Sequence, residues 1–336
     1  MGGVHRELDR WGYDDDFRSD FDALDKTGLE PARVTVGYRR LYDLITEAGA
    51  VAAAGVAGRF KHTHEAEGAL AFPAVGDWVG VDLSRPGSAV IQAVLPRRTA
   101  FVRKAAGRAD EAQVVAANVD IVFLLSALDD DLNFRRIERY LALAAQSGAR
   151  PVVVLNKSDL YKGDREGLLA VVGDAPVHTI SARSGDGVET LRTYFESDQT
   201  VALLGSSGVG KSTLTNRLLG EDVQKTGAVR SDGRGRHVTT NRYLFRLPDG
   251  GLILDTPGMR ELHVWEGERG VEEAFADIVE LARHCRFRDC RHDREPGCAV
   301  RAAIEAGELS EERLRAYRAL QEDASSETWT RTRRYR

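Results

Sequence analysis

Residues 205–212 read Gly-Ser-Ser-Gly-Val-Gly-Lys-Ser, and this stretch decides the fold class of the 336-residue chain. It matches the pattern G-x-x-x-x-G-K-[ST], follows the apolar run VALLG (201–205) and leads into the helix-like STLTNRLLG (212–220). Backbone N–H groups of such a loop converge on a phosphate, and the dipole of the following helix adds to the attraction. The stretch therefore predicts a nucleoside triphosphate site between a strand and a helix.

The side chains of this loop have separate expected roles. We expect Lys211 to reach the β- and γ-phosphates and the hydroxyl of Ser212 to bind Mg²⁺. A glycine-rich turn without a ligand is the alternative, and the strand and helix on either side argue against it. The other predicted nucleotide contacts are Gly205, Ser206, Ser207, Gly208, Val209, Gly210 and Thr213.

Two short motifs upstream indicate which base is bound. NKSD (156–159) follows the apolar run PVVVL, and SAR (181–183) follows the apolar stretch 177–180. The carboxylate of Asp159 can accept hydrogen bonds from N1–H and the 2-amino group of guanine, a donor pair that adenine lacks. Asn156 can bond the base edge and tie neighbouring loops together. The stem of Lys157 can cover the base plane, and a backbone N–H of 181–183 can contact the guanine oxygen. The predicted base-binding residues are Asn156, Lys157, Asp159, Ser181 and Ala182.

The order of the motifs indicates a circular permutation. Ordinary P-loop GTP-binding proteins have the phosphate loop first and N-K-x-D late, whereas here both base motifs precede residues 205–212. The switch motifs follow the phosphate loop, as GRGRHVTT (233–240) and DTPG (255–258). Such a rearrangement is tolerated where a short loop can join the original termini.

The switch motifs supply the remaining magnesium and phosphate contacts. We expect Asp255 to hold Mg²⁺ through water and the N–H of Gly258 to sense the γ-phosphate. Thr239 and Thr240 are both candidates for the threonine that closes on Mg²⁺, with a plain polar loop as the alternative. The glycine and arginine content of this loop predicts mobility without a ligand.

The position after DTPG bears on catalysis. Many GTPases have a glutamine there that orients the attacking water, whereas this chain has Met259. Intrinsic hydrolysis should therefore be slow, unless another group or a partner positions the water. His237 is the candidate for that role, and a loop histidine without a catalytic role is an alternative of equal weight.

All three cysteines of the chain lie in one 14-residue window together with a histidine. The spacing is Cys285-x4-Cys290-x-His292-x5-Cys298. Three thiolates and one imidazole suit a structural Zn²⁺ in a closed tetrahedral site. Three buried thiols without a metal are the alternative, which the clustering disfavours. The site would be basic and suited to a phosphate backbone, because arginines surround it: Arg283, Arg286, Arg288, Arg291 and Arg294.

Changes of pattern along the chain predict a multidomain α/β protein. Strands rich in apolar residues alternate with helices after Asp120, which indicates a parallel sheet covered on both faces. Earlier, five short strands are expected at 33–38, 40–46, 50–58, 77–82 and 89–95. They favour an OB-type barrel over an SH3-like or generic barrel. The predicted domains are an acidic, flexible or loosely docked extension with room for one short helix (1–32), an OB-fold (33–105), a circularly permuted GTPase domain (110–268) and a helical zinc-binding domain with a basic tail (269–336).

Composition limits the compartment and the partners. No uninterrupted apolar stretch reaches about 18 residues, so no membrane span is predicted. The acidic N-terminus lacks the apolar core of a secretory signal, which predicts a cytoplasmic protein. The formal charge of −5 argues against a wholly basic nucleic-acid binder but permits local patches. The predicted RNA-contacting patches are 97–108, the arginines around the cysteines, and the tail residues Arg331, Arg333, Arg334 and Arg336.

These motifs together resemble one family. The barrel, NKSD, SAR, GSSGVGKS, GRGRHVTT, DTPG and CRFRDCRHDREPGCAV (285–300) are similar to the RsgA (YjeQ) family of circularly permuted GTPases, over about residues 33–322. The resemblance implies GTP hydrolysis stimulated by the 30S ribosomal subunit and a role in late 30S maturation through 16S rRNA. It also implies one Zn²⁺, Mg²⁺ with GTP, and a monomer. The chain departs from the family at Val238, where a threonine is usual, and in its long acidic extension.

Two other classes of function remain open from the sequence. A P-loop kinase acting on a small molecule would need an acceptor-binding lid and would have no use for a guanine-specific N-K-x-D motif. A nucleotide-gated RNA-binding module without hydrolysis is the second, and Met259 keeps it open. Competition between ATP and GTP tests the first class, and turnover in the presence of 30S subunits tests the second.

Overall fold

The computed structural model describes most of the chain. The described residues are 6–24, 26–38, 41–58, 60, 68–85, 87–104, 112–129, 132–160, 175–220, 242–255, 275–287, 289–293, 295–311, 313–315 and 317–318. Contacts divide the chain into two compact units. The first comprises 1–132, 147–163 and 175–262, and the second comprises 133–146, 164–174 and 263–336.

The first unit begins with a closed five-stranded barrel, as predicted. The strand order is β1-β2-β3-β5-β4, and β4 closes the barrel by pairing antiparallel with β1. Strands β3 and β5 pair in parallel, while the other neighbours are antiparallel. This arrangement fits an OB-type barrel. The strands are β1 (Glu30–Gly37), β2 (Tyr42–Thr46), β3 (Gly49–Val56), β4 (Trp78–Arg85) and β5 (Ser88–Val94).

Residues 6–24 of the acidic extension pack on the barrel, so the prediction of a flexible or loosely docked segment was wrong for them, while the short helix that the prediction allowed is present. A 3-10 turn (Leu8–Trp11) precedes helix α1 (Asp15–Asp22), whose N-cap, Asp14, accepts a hydrogen bond from the Phe17 amide at 3.1 Å. Leu8, Tyr13 and Phe17 are buried in one cluster with Trp78 of β4. Apolar and aromatic side chains spaced among the acidic residues thus anchor the segment through hydrophobic burial.

A buried arginine joins the extension, the barrel and the following sheet. Arg33 of β1 is 2% exposed, and its guanidinium donates to the carbonyl oxygens of Trp11 and Asn118 and to Thr200 Oγ1. Burial lowers the pKa of Arg33 to about 10. The guanidinium also lies 5.2 Å from the ring centre of Trp78. A buried charge needs such partners, so this residue fixes three segments relative to one another.

The second part of the first unit is an α/β sheet with the order β10-β9-β8-β11-β13-β12. Its pairs are parallel except for the last, in which β12 runs antiparallel to β13. Every residue of β8 and β11 is buried, as expected for central strands of a covered sheet. The strands are β8 (Ile121–Ala127), β9 (Arg150–Asn156), β10 (Val177–Thr179), β11 (Thr200–Gly205), β12 (Arg242–Arg246) and β13 (Leu252–Asp255).

The barrel and this sheet are hydrogen-bonded into one continuous sheet. Strand β1 pairs antiparallel with β12, with Val36 opposite Tyr243 and Gly37 opposite Arg242. A separate hairpin of β6 (Ala100–Lys104) and β7 (Ala112–Ala117) precedes β8. A kinked 3-10 segment (Val188–Asp198) leads into β11, and helix α3 (Lys211–Leu219) follows it.

The second unit is helical in the part that the structure describes. Helix α2 (Phe134–Ser147) lies in it except for its last residue, and helices α4 (Ala276–Arg283) and α5 (Ala299–Glu305) flank the cysteine-rich loop. The buried rings of Phe275 and Tyr317 pack 5.5 Å apart. None of the helices in the described ranges combines the length and apolar character that crossing a membrane requires.

Candidate active site and metal centre

The phosphate-loop residues lie between β11 and α3, as predicted. The loop needs glycine at defined positions, because Gly210 has φ +103° and a Cβ on Gly205 would lie 2.6 Å from the carbonyl oxygen of Leu125. Ser212 and Thr213 are exposed on the first turn of α3. The N-cap of α3, Gly210, supplies no side-chain hydrogen bond to the first helical amides, so this end of the helix favours an anion.

Lys211 is held inside the loop. Its side chain is buried, and Nζ donates to the carbonyl oxygens of Gly205 and Ser206, the latter at 2.6 Å. These two carbonyls fix the ammonium group within the curve of the loop. A cation in this position is suited to bind the phosphates of a nucleotide.

Asn156, at the end of β9, links the base motif to the phosphate loop. The side chain is 3% exposed, and its Nδ2 donates to the carbonyl oxygen of Val209 at 2.8 Å. Its Oδ1 accepts the backbone N–H of Ala182, also at 2.8 Å. One side chain thus joins three loops that are distant in sequence. Because this bond engages the backbone N–H of Ala182, that group is not available to donate to a ligand.

Lys157 adopts a left-handed backbone conformation with φ +65°. Its Nζ forms an ion pair with Asp129 Oδ2 at 2.7 Å, and both side chains are about 30% exposed. Asp129 follows β8, the neighbour of β9 in the sheet, and the sequence interpretation did not single it out. Its position at the carboxyl end of an adjacent parallel strand is the sequence signal that could have identified it. Asp159 is exposed two residues after Lys157.

The Ser181-Ala182-Arg183 turn is rigidly built. Ser181 is fully buried, and its Oγ accepts the N–H of Ser184 at 3.1 Å. Arg217 on α3 donates to the carbonyl oxygens of Ala182 and Arg183, at 2.7 and 2.6 Å. Arg217 was also absent from the predicted site, because nothing in its sequence position marks it.

The predicted site residues that the structure describes converge on one edge of the sheet. Asn156, Gly205 and Asp255 stand at the carboxyl ends of β9, β11 and β13, and the 181–183 turn follows β10. Ligands of open α/β sheets bind at this edge. The remaining predicted residues of the site lie outside the described residues, and they are His237, Thr239, Thr240 and Gly258.

The four predicted metal ligands come together in the second unit. The ligand atoms of Cys285, Cys290, His292 and Cys298 all lie within 4.8 Å of one another. His292 Nδ1 is 3.5 Å from the sulfur of Cys285 and 3.4 Å from that of Cys298. Arg301 fixes the loop, because its Nε donates to the carbonyl oxygen of His292 at 3.0 Å. This Cys₃His group could hold a metal ion.

The thiols of this group differ in how readily they ionise. Burial raises the pKa of Cys290 to about 11. Burial also opposes ionisation of Cys285, but hydrogen bonds from the amides of Val300 and Ala299 hold the pKa of that thiol below its ordinary value. Neighbouring thiols compete for protons when no cation is present, and a bound cation favours their ionised forms.

The comparisons with known proteins agree with this arrangement. The family model described as RsgA GTPase matches residues 94–265. A small ribosomal subunit biogenesis GTPase RsgA from Opitutus terrae is 48% identical over 331 residues, covering 94% of this chain and 89% of the relative. The chain belongs to the RsgA GTPase family. Members of the RsgA family are GTP hydrolases, so this protein is a GTPase.

Further relatives of the RsgA family support the same assignment. One from Streptomyces coelicolor is 43% identical over 326 residues, covering 94% of this chain and 86% of the relative. The crystal structure of YjeQ from Thermotoga maritima aligns with a TM-score of 0.59 and 27% identity, over 88% of this chain and 98% of that one. A structure titled YloQ, a circularly permuted GTPase, shows the same fold at a TM-score of 0.56 and 23% identity, over 90% and 97% of the two chains. The permuted motif order is therefore confirmed.

Proposed function

We propose that this GTPase acts in assembly of the small ribosomal subunit, where the 30S particle stimulates its GTP hydrolysis and 16S rRNA is its binding partner. The observation that carries the proposal is the convergence of a guanine motif and a phosphate loop, joined by the buried Asn156. Relatives covered over most of their length carry the name small ribosomal subunit biogenesis GTPase. The protein would act as a cytoplasmic monomer.

The site residues would divide the work of binding and hydrolysis. Asp159 reads guanine, while Lys211 contacts the β- and γ-phosphates. Ser212 and Asp255 would hold Mg²⁺ together with Thr239 or Thr240, and the ion would neutralise charge that develops on the phosphates. Met259 cannot orient water, so hydrolysis would depend on His237 or on the ribosomal partner.

The metal group in the second unit would be a structural zinc site that presents a basic surface to RNA. Three thiolates and one imidazole fill a tetrahedral coordination shell and leave no position for a reacting water. Arg286 and Arg291 belong to this loop, and Phe287 is 41% exposed beside them. Arginine and an exposed aromatic ring suit contacts to a phosphate backbone and to unstacked bases.

The structure revises one of the predicted RNA patches. Arg97 pairs with the buried Asp77 through hydrogen bonds of 2.8 and 2.7 Å, and Arg98 is held by Asp14 at 2.6 Å. Carboxylates of the chain itself pair with both guanidinium groups, the buried Asp77 with Arg97 and the exposed Asp14 with Arg98, so these arginines hold the barrel and the docked extension. In this stretch Lys104 is described and Arg108 lies outside the described residues, as does the basic tail.

GTP turnover with and without purified 30S subunits tests the proposal. We expect slow turnover by the protein alone and strong stimulation by 30S subunits, abolished by Lys211→Ala. We also expect ATP to compete poorly with GTP, and the GTP-bound protein to bind 30S more tightly than the GDP-bound protein. Absence of stimulation, or equal binding of 30S in both nucleotide states, would refute the ribosomal switch.

A further inference from the structure

Arg217 lies on α3, the helix that follows the phosphate loop, and donates two hydrogen bonds to the turn that follows β10. Its Nε donates to the Ala182 carbonyl oxygen at 2.7 Å and its Nη2 to the Arg183 carbonyl oxygen at 2.6 Å. The two bonds use one edge of a planar guanidinium, which matches two successive carbonyl groups. A bidentate contact of this kind fixes the direction of the chain as well as its position.

The bond to Ala182 sets the direction of one particular N–H group. In a trans peptide the C=O of one residue and the N–H of the next point in opposite directions. Because Arg217 draws the Ala182 carbonyl towards α3, the N–H of Arg183 points away from that helix. Within the described part of the chain, no hydrogen bond from the Arg183 N–H is found.

The other N–H groups of the turn are engaged. Ala182 donates to Asn156 Oδ1 at 2.8 Å, and Ser184 donates to Ser181 Oγ at 3.1 Å. The amide of Gly185 donates to the Ser181 carbonyl oxygen at 2.8 Å. The Arg183 N–H is therefore the donor that this turn offers to a ligand at the carboxyl edge of the sheet.

The turn is also shaped to admit the guanidinium. Gly185 has φ +100°, and a Cβ at this position would lie 2.8 Å from Arg217 Nη1 and 3.3 Å from its Cζ. A side chain there would need a strained backbone and would displace the guanidinium. Glycine at 185 thus leaves room for the contact that Arg217 makes.

We propose that Arg217 is a positioning residue for guanine recognition, which holds the Ala182–Arg183 peptide so that the Arg183 N–H meets the exocyclic oxygen of the base. This inference rests on the proposed assignment of 181–183 to guanine. It adds a coupling between the helix that binds phosphate and the turn that reads the base. Loss of the guanidinium frees this peptide to rotate, so recognition of the oxygen is lost while the phosphate loop is retained.

The test compares two nucleotides: GDP has the recognised oxygen, and the 2-aminopurine nucleotide has neither that oxygen nor the N1–H that Asp159 is proposed to bind. The second nucleotide should bind more weakly to every variant, so the quantity compared is the change in affinity that each substitution causes for each nucleotide. GDP and 2-aminopurine riboside 5′-diphosphate, which lacks the exocyclic oxygen, are titrated into the wild-type protein, Arg217→Ala and Arg217→Lys by calorimetry. We expect Arg217→Ala to weaken GDP binding about tenfold, the range of one hydrogen bond, and to change binding of the 2-aminopurine nucleotide less than about twofold. Arg217→Lys can keep one bond and should lose less GDP affinity than Arg217→Ala.

Two further variants separate the possible failures. Arg192→Ala removes an arginine that pairs with Glu189 and Asp249, and it should leave both affinities unchanged. Asp159→Asn should weaken GDP binding whether or not Arg217 has a role. Equal losses for both nucleotides in Arg217→Ala, or unchanged GDP binding beside a weakened Asp159→Asn, would overturn the role of Arg217 alone. Unchanged GDP binding in Asp159→Asn would overturn the proposed guanine site.

Discussion

Replacing Asn156 by alanine should damage the nucleotide site more than any loss of a single base contact. The side chain makes two buried hydrogen bonds of 2.8 Å, to the Val209 carbonyl and from the Ala182 amide. Each buried partner left without a bond costs about 1–3 kcal/mol. Entry of water offsets part of this cost, so we expect a total of about 2–4 kcal/mol. If the whole of this free energy is lost from nucleotide binding, the affinity for GDP decreases about 30- to 700-fold.

Calorimetric titration with GDP and denaturant unfolding together measure this loss. The cost divides between affinity and the free energy of unfolding, so both are measured for wild type, Asn156→Ala and Asn216→Ala. Asn216 is exposed on α3 and serves as the matched control. Two results together would refute the reasoning: Asn156→Ala binds GDP within about threefold of wild type, and its free energy of unfolding lies within about 0.5 kcal/mol of the wild-type value. Leaving a buried polar group unpaired costs more than these differences allow.

Three further predictions concern other parts of the molecule. Gly210→Ala should abolish GDP binding in calorimetry, because a Cβ there overlaps the side-chain nitrogen Nδ2 of Asn156, which is held by its hydrogen bond to Val209. Phe17→Ala should destabilise the docked extension by about 3–5 kcal/mol, the cost of deleting a buried phenyl ring, seen as rapid proteolysis near the N-terminus. Cys290→Ser should reduce bound zinc below the one ion per chain expected for wild type, measured by elemental mass spectrometry, because one ligand of the tetrahedral set is lost.

Matched controls sharpen these three tests. Gly220→Ala has a positive φ but no neighbouring atom within 4 Å of the added Cβ, so it should still bind GDP. Ser19→Ala alters an exposed position of α1 and should leave proteolysis unchanged. His284→Ala lies beside the metal group but outside the ligand set, and should retain zinc. GDP binding by Gly210→Ala, wild-type proteolysis of Phe17→Ala, or full zinc content in Cys290→Ser would contradict the respective assignment.

The sequence predicted the parts of the fold in which a backbone requirement restricts residue type. Glycines with positive φ mark the phosphate loop, and uninterrupted apolar runs mark the buried strands β8 and β11. The Cys₃His spacing predicted a cluster because few other arrangements need those residues so close together. Each of these signals is local, so a single sequence is enough to detect it.

The features that the sequence did not predict depend on long-range contacts. Acidic composition suggested a loose extension, but the burial of Phe17 against Trp78 outweighs it. Arg98 was assigned to RNA because a charge has no partner in a sequence until the fold brings Asp14 to it. Asp129 and Arg217 were missed for the same reason, since their roles arise from neighbours 28 and 35 positions away.

The pairing of β1 with β12 has a consequence for any attempt to dissect the protein. A fragment that begins after the barrel would expose the edge of β12, whose N–H and C=O groups at Arg242 and Tyr243 face β1 in the intact chain. Open strand edges attract other strands, so such a fragment is prone to self-association. Measurements on a GTPase domain without the barrel would therefore be affected by aggregation through β12. Solution studies should keep the barrel and the GTPase domain in one chain.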